Sequence, residues 1–517
     1  MKLYFETSNF PWSPERYHYA AEQMMLTLFP GERPEYPEGP LPKDLSGETN
    51  AAVFTLHRGK TLTNVSALVF RSQGHYNGVT RFPSERLDEP PEAVYHTVQH
   101  ALKLAFYKAG AALLGASPPW GALTGVRPVK LPTRALLAGK TPKQAQRELE
   151  KEYFVTPGRA KLAVDCARAS LEVRRSLRPG EVSLYIGIPF CPSRCVYCSF
   201  VSADVGRTLR LVEPYLEGLL REVEETGRVL REARLTVRSF YMGGGTPTTL
   251  SAEQLDRLLS GCEEALPLEG CTEYTVEAGR PDTITREKLE VLRAHHIGRV
   301  SINPQTLEDQ VLEAIGRRHT AGDIRAAYAL AREAGFDCIN MDLIAGLPRD
   351  TVDGFRRSLE GVLALAPENI TVHTLALKKG SALMEGGTAL PSGDETFTML
   401  NISREVLTTA GYIPYYLYRQ KYMSGSLENV GWARPGRSSL YNIAMMEELH
   451  TVVSLGAGGV TKLIGGGKIL RLTNPKFPHD YLAGLDKVLE QKGEIGAFCR
   501  THGRPGAADH TPILNTE

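Results

Sequence analysis

The 517-residue chain has almost no net charge: 60 Lys and Arg against 59 Asp and Glu leave +1. Without a global basic field, the chain is too neutral to wrap a nucleic acid. Long apolar runs are missing too. No stretch approaches the roughly 18 apolar residues of a membrane-spanning helix, and the start, MKLYFETSNFPW, lacks the charged-then-apolar pattern of a secretory leader. The expectation is a cytoplasmic protein with no membrane span. Cysteine is scarce, with eight in the whole chain, too few for a disulfide scaffold at this length. No internal repeat or low-complexity block is found. What remains, 42% hydrophobic and 23% charged residues, is the composition of a folded globular chain, and its length predicts two or three domains.

Three of the eight cysteines, Cys191, Cys195 and Cys198, fall within eight residues, while Cys166, Cys262, Cys271, Cys338 and Cys499 are scattered as small buried hydrophobes would be. The surrounding pattern divides the chain. Residues 1–180 mix two β-like runs, Ala51 to Leu56 and Thr61 to Phe70, with helical stretches at Ala20 to Phe29 and Ala93 to Leu114, predicting an α+β accessory domain. It closes on a basic, helix-prone region and the break Arg178-Pro179-Gly180. Residues 181–376 then alternate short apolar runs with amphipathic helices. Strands are predicted near Ser183–Gly187, Ser239–Met242, Glu273–Glu277, Arg299–Ile302, Cys338–Leu343 and Asn369–Thr374. The helix before the fifth strand follows capping rules: Thr320 starts it with Asp323 three residues on, Ile324, Tyr328 and Ala331 share a face, and Gly335 ends it. Six βα units of this kind belong to the parallel α/β class, whose ligand sites lie at the carboxyl ends of the strands. Residues 377–500 read as a mixed, substrate-covering region with an ordered surface loop from Tyr416 to Arg437. Residues 501–517 read as a flexible polar tail.

Motifs just past strands carry the chemistry. Cys191-x-x-x-Cys195-x-x-Cys198 follows the first parallel strand. A structural zinc site calls for four ligands, usually in two pairs, and a redox dithiol needs only Cys195 and Cys198. Three clustered thiolates suit an iron–sulfur cube with one iron left open for a ligand. Gly243-Gly244-Gly245-Thr246 follows the second strand, where absent side chains admit a ligand close to the backbone or simply make a tight turn. Glu277, Gln305, Arg317 and Asp342 recur at or shortly beyond later strand ends. A carboxylate such as Asp342, inside an apolar strand, must be paired or solvated by a pocket.

The CxxxCxxC after the first of six βα units, with Tyr197 before the third cysteine and the GGGTP element, resembles the radical S-adenosylmethionine (radical SAM) superfamily. The segments LYIGIPFC, YMGGGTP, SINPQT, IGRRHTAGDI and NMDLIAGLP resemble its oxygen-independent coproporphyrinogen III dehydrogenase group. WGALTGVRP and YLYRQKYMSGSLENVGWA look like the HemZ type within it. The resemblance implies a partial (β/α)6 barrel holding a [4Fe–4S] cluster on Cys191, Cys195 and Cys198, whose open iron chelates S-adenosylmethionine. It also implies cofactor contacts at Tyr185, Tyr197, Gly243, Gly244, Gly245, Thr246, Glu277, Gln305, Arg317, Asp342 and Ala376. The implied reaction is oxidative decarboxylation of two propionates of coproporphyrinogen III to vinyl groups, giving protoporphyrinogen IX, with a tetrapyrrole substrate and an electron-donor protein as partners. A four-carboxylate substrate calls for cations, and Arg419, Lys421, Arg434 and Arg437, with Lys378 and Lys379, are the candidates. Tyr416, Tyr418 and Trp432 are candidates to line a flat ring or to pack as core. A haem-delivery protein and another radical enzyme acting on haem are the alternatives; the HNxxYW element of the haem-chaperone branch is not found in this chain.

Overall fold

The structure is a computed structural model of the chain. It describes every residue except 11–12, 39–40, 43–44, 46, 73, 199–202, 205–207, 377–380, 382, 384–388, 421–426 and 504–517. Lys421, Lys378, Lys379 and the polar tail from residue 504 on therefore lie outside the described residues, while Thr501 and His502, read as tail, end the helix Leu485–His502. The chain forms two compact units, Met1–Val164 and Asp165–Ser424 with Glu428–Glu517. The division falls inside the helix Pro157–Ser176, upstream of the Arg178–Gly180 break. No described helix is long and apolar enough to cross a membrane.

The first unit carries a four-stranded sheet, β1 (Lys2–Ser8), β2 (Asn50–Arg58), β3 (Leu62–Arg71) and β4 (Gly74–Pro83), in that order, with β1 parallel to β2 and the others antiparallel. Alternating apolar residues of β2 and β3, such as Phe54, Leu56, Val65 and Ala67, pack with helices α1 (His18–Leu28) and α2 (Pro91–Leu114) in one core. The sequence reading finds β2, β3 and both helices. It misses β4, whose GHYNGVTRFP has little apolar alternation, and β1 at the chain start.

In the second unit, β5 (Glu181–Ile188), β6 (Thr236–Gly244), β7 (Glu273–Gly279), β8 (Arg299–Ile302), β9 (Cys338–Ala345) and β10 (Asn369–Thr374) lie side by side in chain order, each parallel to the next. All six match the predicted strands. The main helices between them are α3 (Val212–Glu232), α4 (Ala252–Ala265), α5 (Arg286–Ala294), α6 (Ala321–Glu333) and α7 (Val352–Leu365), with a short helix, Asp309–Ala314, ahead of α6. Reciprocal capping boxes start α4 (Ser251 with Gln254) and α6 (Thr320 with Asp323), the latter as read from sequence.

The C-terminal chain extends this sheet at both edges. β11 (Ile413–Arg419) and β12 (Glu428–Ala433) form a hairpin added antiparallel to β10. β13 (Val452–Leu455) adds parallel to β5, followed by β14 (Val460–Gly465) and β15 (Lys468–Thr473), for eleven strands in all. The segment from Tyr416 to Arg437 is thus not a surface loop through its length. Its β-prone runs YLYR and ENVGWA are paired strands.

The added strands are tied to the first βα unit by a buried carboxylate. Glu222 on α3 is fully buried and lies 2.7 Å from Lys492 Nζ on α10 (Leu485–His502; α8 is Gly393–Thr409 and α9 is Leu440–Glu447). Its oxygens also accept from Asn474 Nδ2 at 2.8 Å, Gly456 N at 2.7 Å and the Tyr481 hydroxyl at 2.6 Å. Gly456 (φ +82°) sits where a Cβ would come within 2.5 Å of Gly187 O and the Tyr215 hydroxyl, so the turn after β13 requires glycine. Removing one partner of such a network strands the other charge in the interior. Glu222→Ala is expected to lower the unfolding free energy of this unit by about 3–5 kcal/mol, read from denaturant unfolding. A loss below about 1 kcal/mol would show that the network contributes nothing beyond an ordinary hydrogen bond.

Candidate functional site at the carboxyl ends of the parallel strands

Parallel pairing in chain order puts the carboxyl ends of all six strands on one edge. The cysteine loop leaves that edge after β5 and is held from several sides. Gly245 and Thr246 N–H groups, past the end of β6, donate to Ile188 O at 2.8 Å and Phe190 O at 2.7 Å. Cys191 Sγ lies 3.5 Å from Thr246 Oγ1. Buried Arg280, paired with Asp282 at 2.9 Å, donates to the Ser193 carbonyl at 3.1 Å and hydroxyl at 2.8 Å. Val196 N donates to Ile315 O at 3.2 Å. Buried Arg317 donates to Asn303 O at 2.7 Å and to the Tyr197 hydroxyl at 3.3 Å. Burial opposes the Arg317 charge, but Tyr197 and Cys195 beside it hold its pKa above the ordinary value.

The glycine run ends β6 as a cradle. Gly244 has φ +106°; a Cβ on Gly243 would stand 2.6 Å from Glu277 Oε2, and one on Gly245 would stand 2.4 Å from Phe190 O. The positive φ of Gly244 and the backbone contact at Gly245 require glycine, and a Cβ at Gly243 would push on the Glu277 carboxylate. Glu277 accepts from the Tyr241 hydroxyl at 2.5 Å and from Gly244 N at 3.3 Å. Burial pushes the Glu277 carboxyl up to about 7; the Asp342 charge adds to this, and the Tyr241 hydrogen bond works against it. On β9, Asp342 accepts from Asn340 Nδ2 at 2.8 Å through Oδ1, and its Oδ2 faces His373 Nε2 of β10 at 3.6 Å. Burial pushes Asp342 upward, yet His373 and Asn340 hold it below its ordinary value. Gln305 sits in the left-handed region at φ +67° and bridges Asp342 O and Ile344 N through its backbone.

The inner face also carries a stack of aromatic rings. The Tyr241 and Tyr441 rings stack at 4.3 Å, with Tyr185 at 6.3 Å from each. Tyr441 lies on α9, whose first turn donates from Leu440 N and Tyr441 N to Glu273, at the amino end of β7, at 2.7 and 3.0 Å. The sequence reading misses Tyr241, Tyr441 and His373. A polar His in the strand NITVHT is the signal that could have found His373.

The predicted substrate cations are not brought together here. Arg434 and Arg437 sit at the amino edge of the sheet, because Ala433 pairs with Asn369, the first residue of β10. The Arg437 carbonyl accepts from Asn369 Nδ2 at 2.8 Å and Arg299 Nη1 at 3.1 Å, its guanidinium faces Asp337 at 3.5 Å, and Arg434 stacks on Tyr412. These two are therefore remote from the cysteine loop. Arg419 lies at the correct end, opposite Glu428. It is buried, and burial pushes its pKa down to about 10 against the pull of Glu428. Strand alternation puts it on the face opposite Tyr418. Tyr416 and Tyr418 share the inner face, the former donating to Thr371 Oγ1 at 3.5 Å. Trp432 packs as core, and Ala376 is half-buried just beyond β10.

Among the described residues, no three His, Cys, Asp or Glu side chains are gathered at metal-binding distances. The residues nonetheless fit a thiolate-held cluster with an amino-acid cofactor beside it. Three thiols share one pinned loop, the glycine cradle opens next to them, and the buried Gln305 Oε1 and Arg317 Nε have no hydrogen-bond partner among the described residues. Such orphaned polar atoms call for a polar ligand, and S-adenosylmethionine offers ammonium, carboxylate and ribose hydroxyl groups.

Parallel βα units in chain order, a three-thiol loop after the first strand and a glycine cradle after the second define a radical SAM domain, and the radical SAM superfamily pattern matches residues 185–360. The cofactors of this superfamily are a [4Fe–4S] cluster and S-adenosylmethionine. HemZ of Bacillus subtilis, described as an oxygen-independent coproporphyrinogen-III oxidase-like protein, is 39% identical over 420 residues, spanning 80% of this chain and 83% of that protein. The chain belongs to this HemZ family within the radical SAM superfamily. The haem chaperone HemW of Lactococcus lactis is 32% identical over 60% of this chain and 79% of that protein. The solved structure of coproporphyrinogen III oxidase, HemN, from Escherichia coli superimposes with a TM-score of 0.50 at 26% identity, covering 62% of this chain and 72% of that one.

The Glu277 environment has a measurable consequence. Its folded pKa lies above the ordinary 4.5, at about 7, so the folded chain holds this proton more tightly than the unfolded chain. Its contribution to stability is present in full below the lower value and declines as pH rises through the higher one. Glu277→Gln is expected to remove that decline from denaturation midpoints measured across the interval. Equal pH slopes for the two proteins would contradict the assignment.

Proposed function

We propose that the protein is an oxygen-independent coproporphyrinogen III dehydrogenase that converts two propionates to vinyl groups in the cytoplasm, drawing electrons from a donor protein. The observation that carries this reading is the HemZ relationship across 80% of the chain, joined to a strand-end chamber that fits the superfamily's cofactors. Cys191, Cys195 and Cys198 would hold the cluster. Gly243, Gly244, Gly245, Thr246, Glu277, Gln305, Arg317 and Asp342, with Tyr185, Tyr197 and Ala376 at the margin, would bind and orient S-adenosylmethionine. When bound, the two together supply one-electron cleavage of the sulfonium bond and a carbon radical able to remove a hydrogen atom. Hydrogen removal from the propionate carbon attached to the ring, then loss of carbon dioxide with transfer of one electron to a separate one-electron acceptor, would leave a vinyl group. Two such rounds use two molecules of S-adenosylmethionine. The protein's own part is positioning and exclusion of water, the latter served by the Tyr185–Tyr241–Tyr441 stack.

A second reading, haem binding and delivery, is favoured by the HemW similarity. Anaerobically reconstituted protein given reductant, S-adenosylmethionine and coproporphyrinogen III is expected to form protoporphyrinogen IX and 5′-deoxyadenosine in step. Cys191→Ala, Cys195→Ala and Cys198→Ala are each expected to lose the iron–sulfur absorbance and the product. Cofactor cleavage with an unchanged tetrapyrrole would overturn the dehydrogenase, and stoichiometric haem binding without turnover would support delivery.

A further inference from the structure

A substrate bearing several carboxylates needs a cation or donor inside the chamber, yet Arg434 and Arg437 lie at the far edge and Arg419 falls on the outer face. Arg317 is turned to the cysteine loop. Among the described residues His373 remains, on the inner face of β10 near its carboxyl end.

Its setting is built. Asp342 cannot rotate freely, because Asn340 Nδ2 holds Oδ1 at 2.8 Å and also donates to Ser301 Oγ at 2.7 Å, while Thr371 Oγ1 donates to Asn340 Oδ1 at 3.2 Å. The fixed Oδ2 faces His373 Nε2 at 3.6 Å, and the His373 side chain keeps 27% exposure. No described protein group takes Nδ1. An imidazole with one nitrogen oriented by a carboxylate and the other open is arranged to act on something beyond the protein. If its only task were to partner Asp342, a side-chain amide would serve.

We propose that His373, oriented by Asp342, binds a carboxylate of the substrate through Nδ1 and is the residue that selects a carboxylate-bearing tetrapyrrole. Both partners are acceptors, so the bound ring must carry both N–H protons, as an imidazolium between Asp342 and the substrate carboxylate. The titratable groups on the inner face around it include Asp342 on β9, Glu277 on β7, Tyr241 on β6, and Tyr416 and Tyr418 on β11. This inference rests on the reading that a tetrapyrrole enters the chamber.

The test is equilibrium binding to the reconstituted protein, by fluorescence, of coproporphyrin III and of its tetramethyl ester, which has the same ring without ionised carboxylates. Wild-type protein is expected to prefer the tetraacid. His373→Phe is expected to weaken tetraacid binding about tenfold, roughly the worth of one charge-assisted hydrogen bond, and to weaken binding of the tetramethyl ester much less. His373→Asn, which keeps a polar partner for Asp342 but cannot become a cation, is expected to lose most of the preference for the tetraacid over the ester. Wild-type discrimination that survives in both variants would overturn the role of His373. If the wild-type protein binds both porphyrins alike, carboxylate selection by His373 is overturned while the tetrapyrrole reading stands; if it binds neither, the tetrapyrrole reading itself fails and this inference falls with it.

Discussion

Parallel pairing of six strands in chain order is the constraint on which the rest depends. Each crossover returns the chain to the same edge, so every strand ends where the cysteine loop begins. Residues almost two hundred positions apart, from Tyr185 to His373, thus converge on one inner face. The C-terminal strands leave this arrangement intact because they add only at the sheet's two edges, and the Glu222 network fastens one of those additions to α3.

The chamber so formed is polar inside and apolar outside. Along β9, Asn340 and Asp342 face inward while Met341 and Leu343 are wholly buried in the opposite layer. Two carboxylates in one enclosure would repel each other. Burial favours the protonated form of Glu277, whereas His373 and Asn340 favour the charged form of Asp342. Unlike neighbours thus separate two similar groups, which lets one enclosure offer a charged acceptor beside a group that carries a proton near neutrality.

Much of this was legible in the sequence. The six parallel strands announce themselves as short apolar runs between capped amphipathic helices, and the Thr320–Asp323 box was readable residue by residue. The cysteine spacing and glycine run are local signals, and the family relationship agrees with what they imply. Strands β1 and β4 were not legible because their pattern carries little apolar alternation. The hairpin β11–β12 read as a loop because charged and aromatic residues are interleaved there, and only a neighbouring strand edge makes them β-structure.

Sequence by itself determined the ligand chemistry: three thiols within eight residues and three glycines in a row have meaning at their own spacing, since one loop or turn contains them. Tertiary structure alone decided which distant side chains share the chamber. Arg434, Arg437 and Arg419 look equivalent in a basic stretch, yet strand direction sends the first two to the opposite edge and strand alternation turns the third outward. His373, unremarkable in the chain, meets Asp342 only because β9 and β10 are neighbours in register. A partner across a sheet is fixed by pairing and pleat, and neither is written in the spacing of residues along one strand.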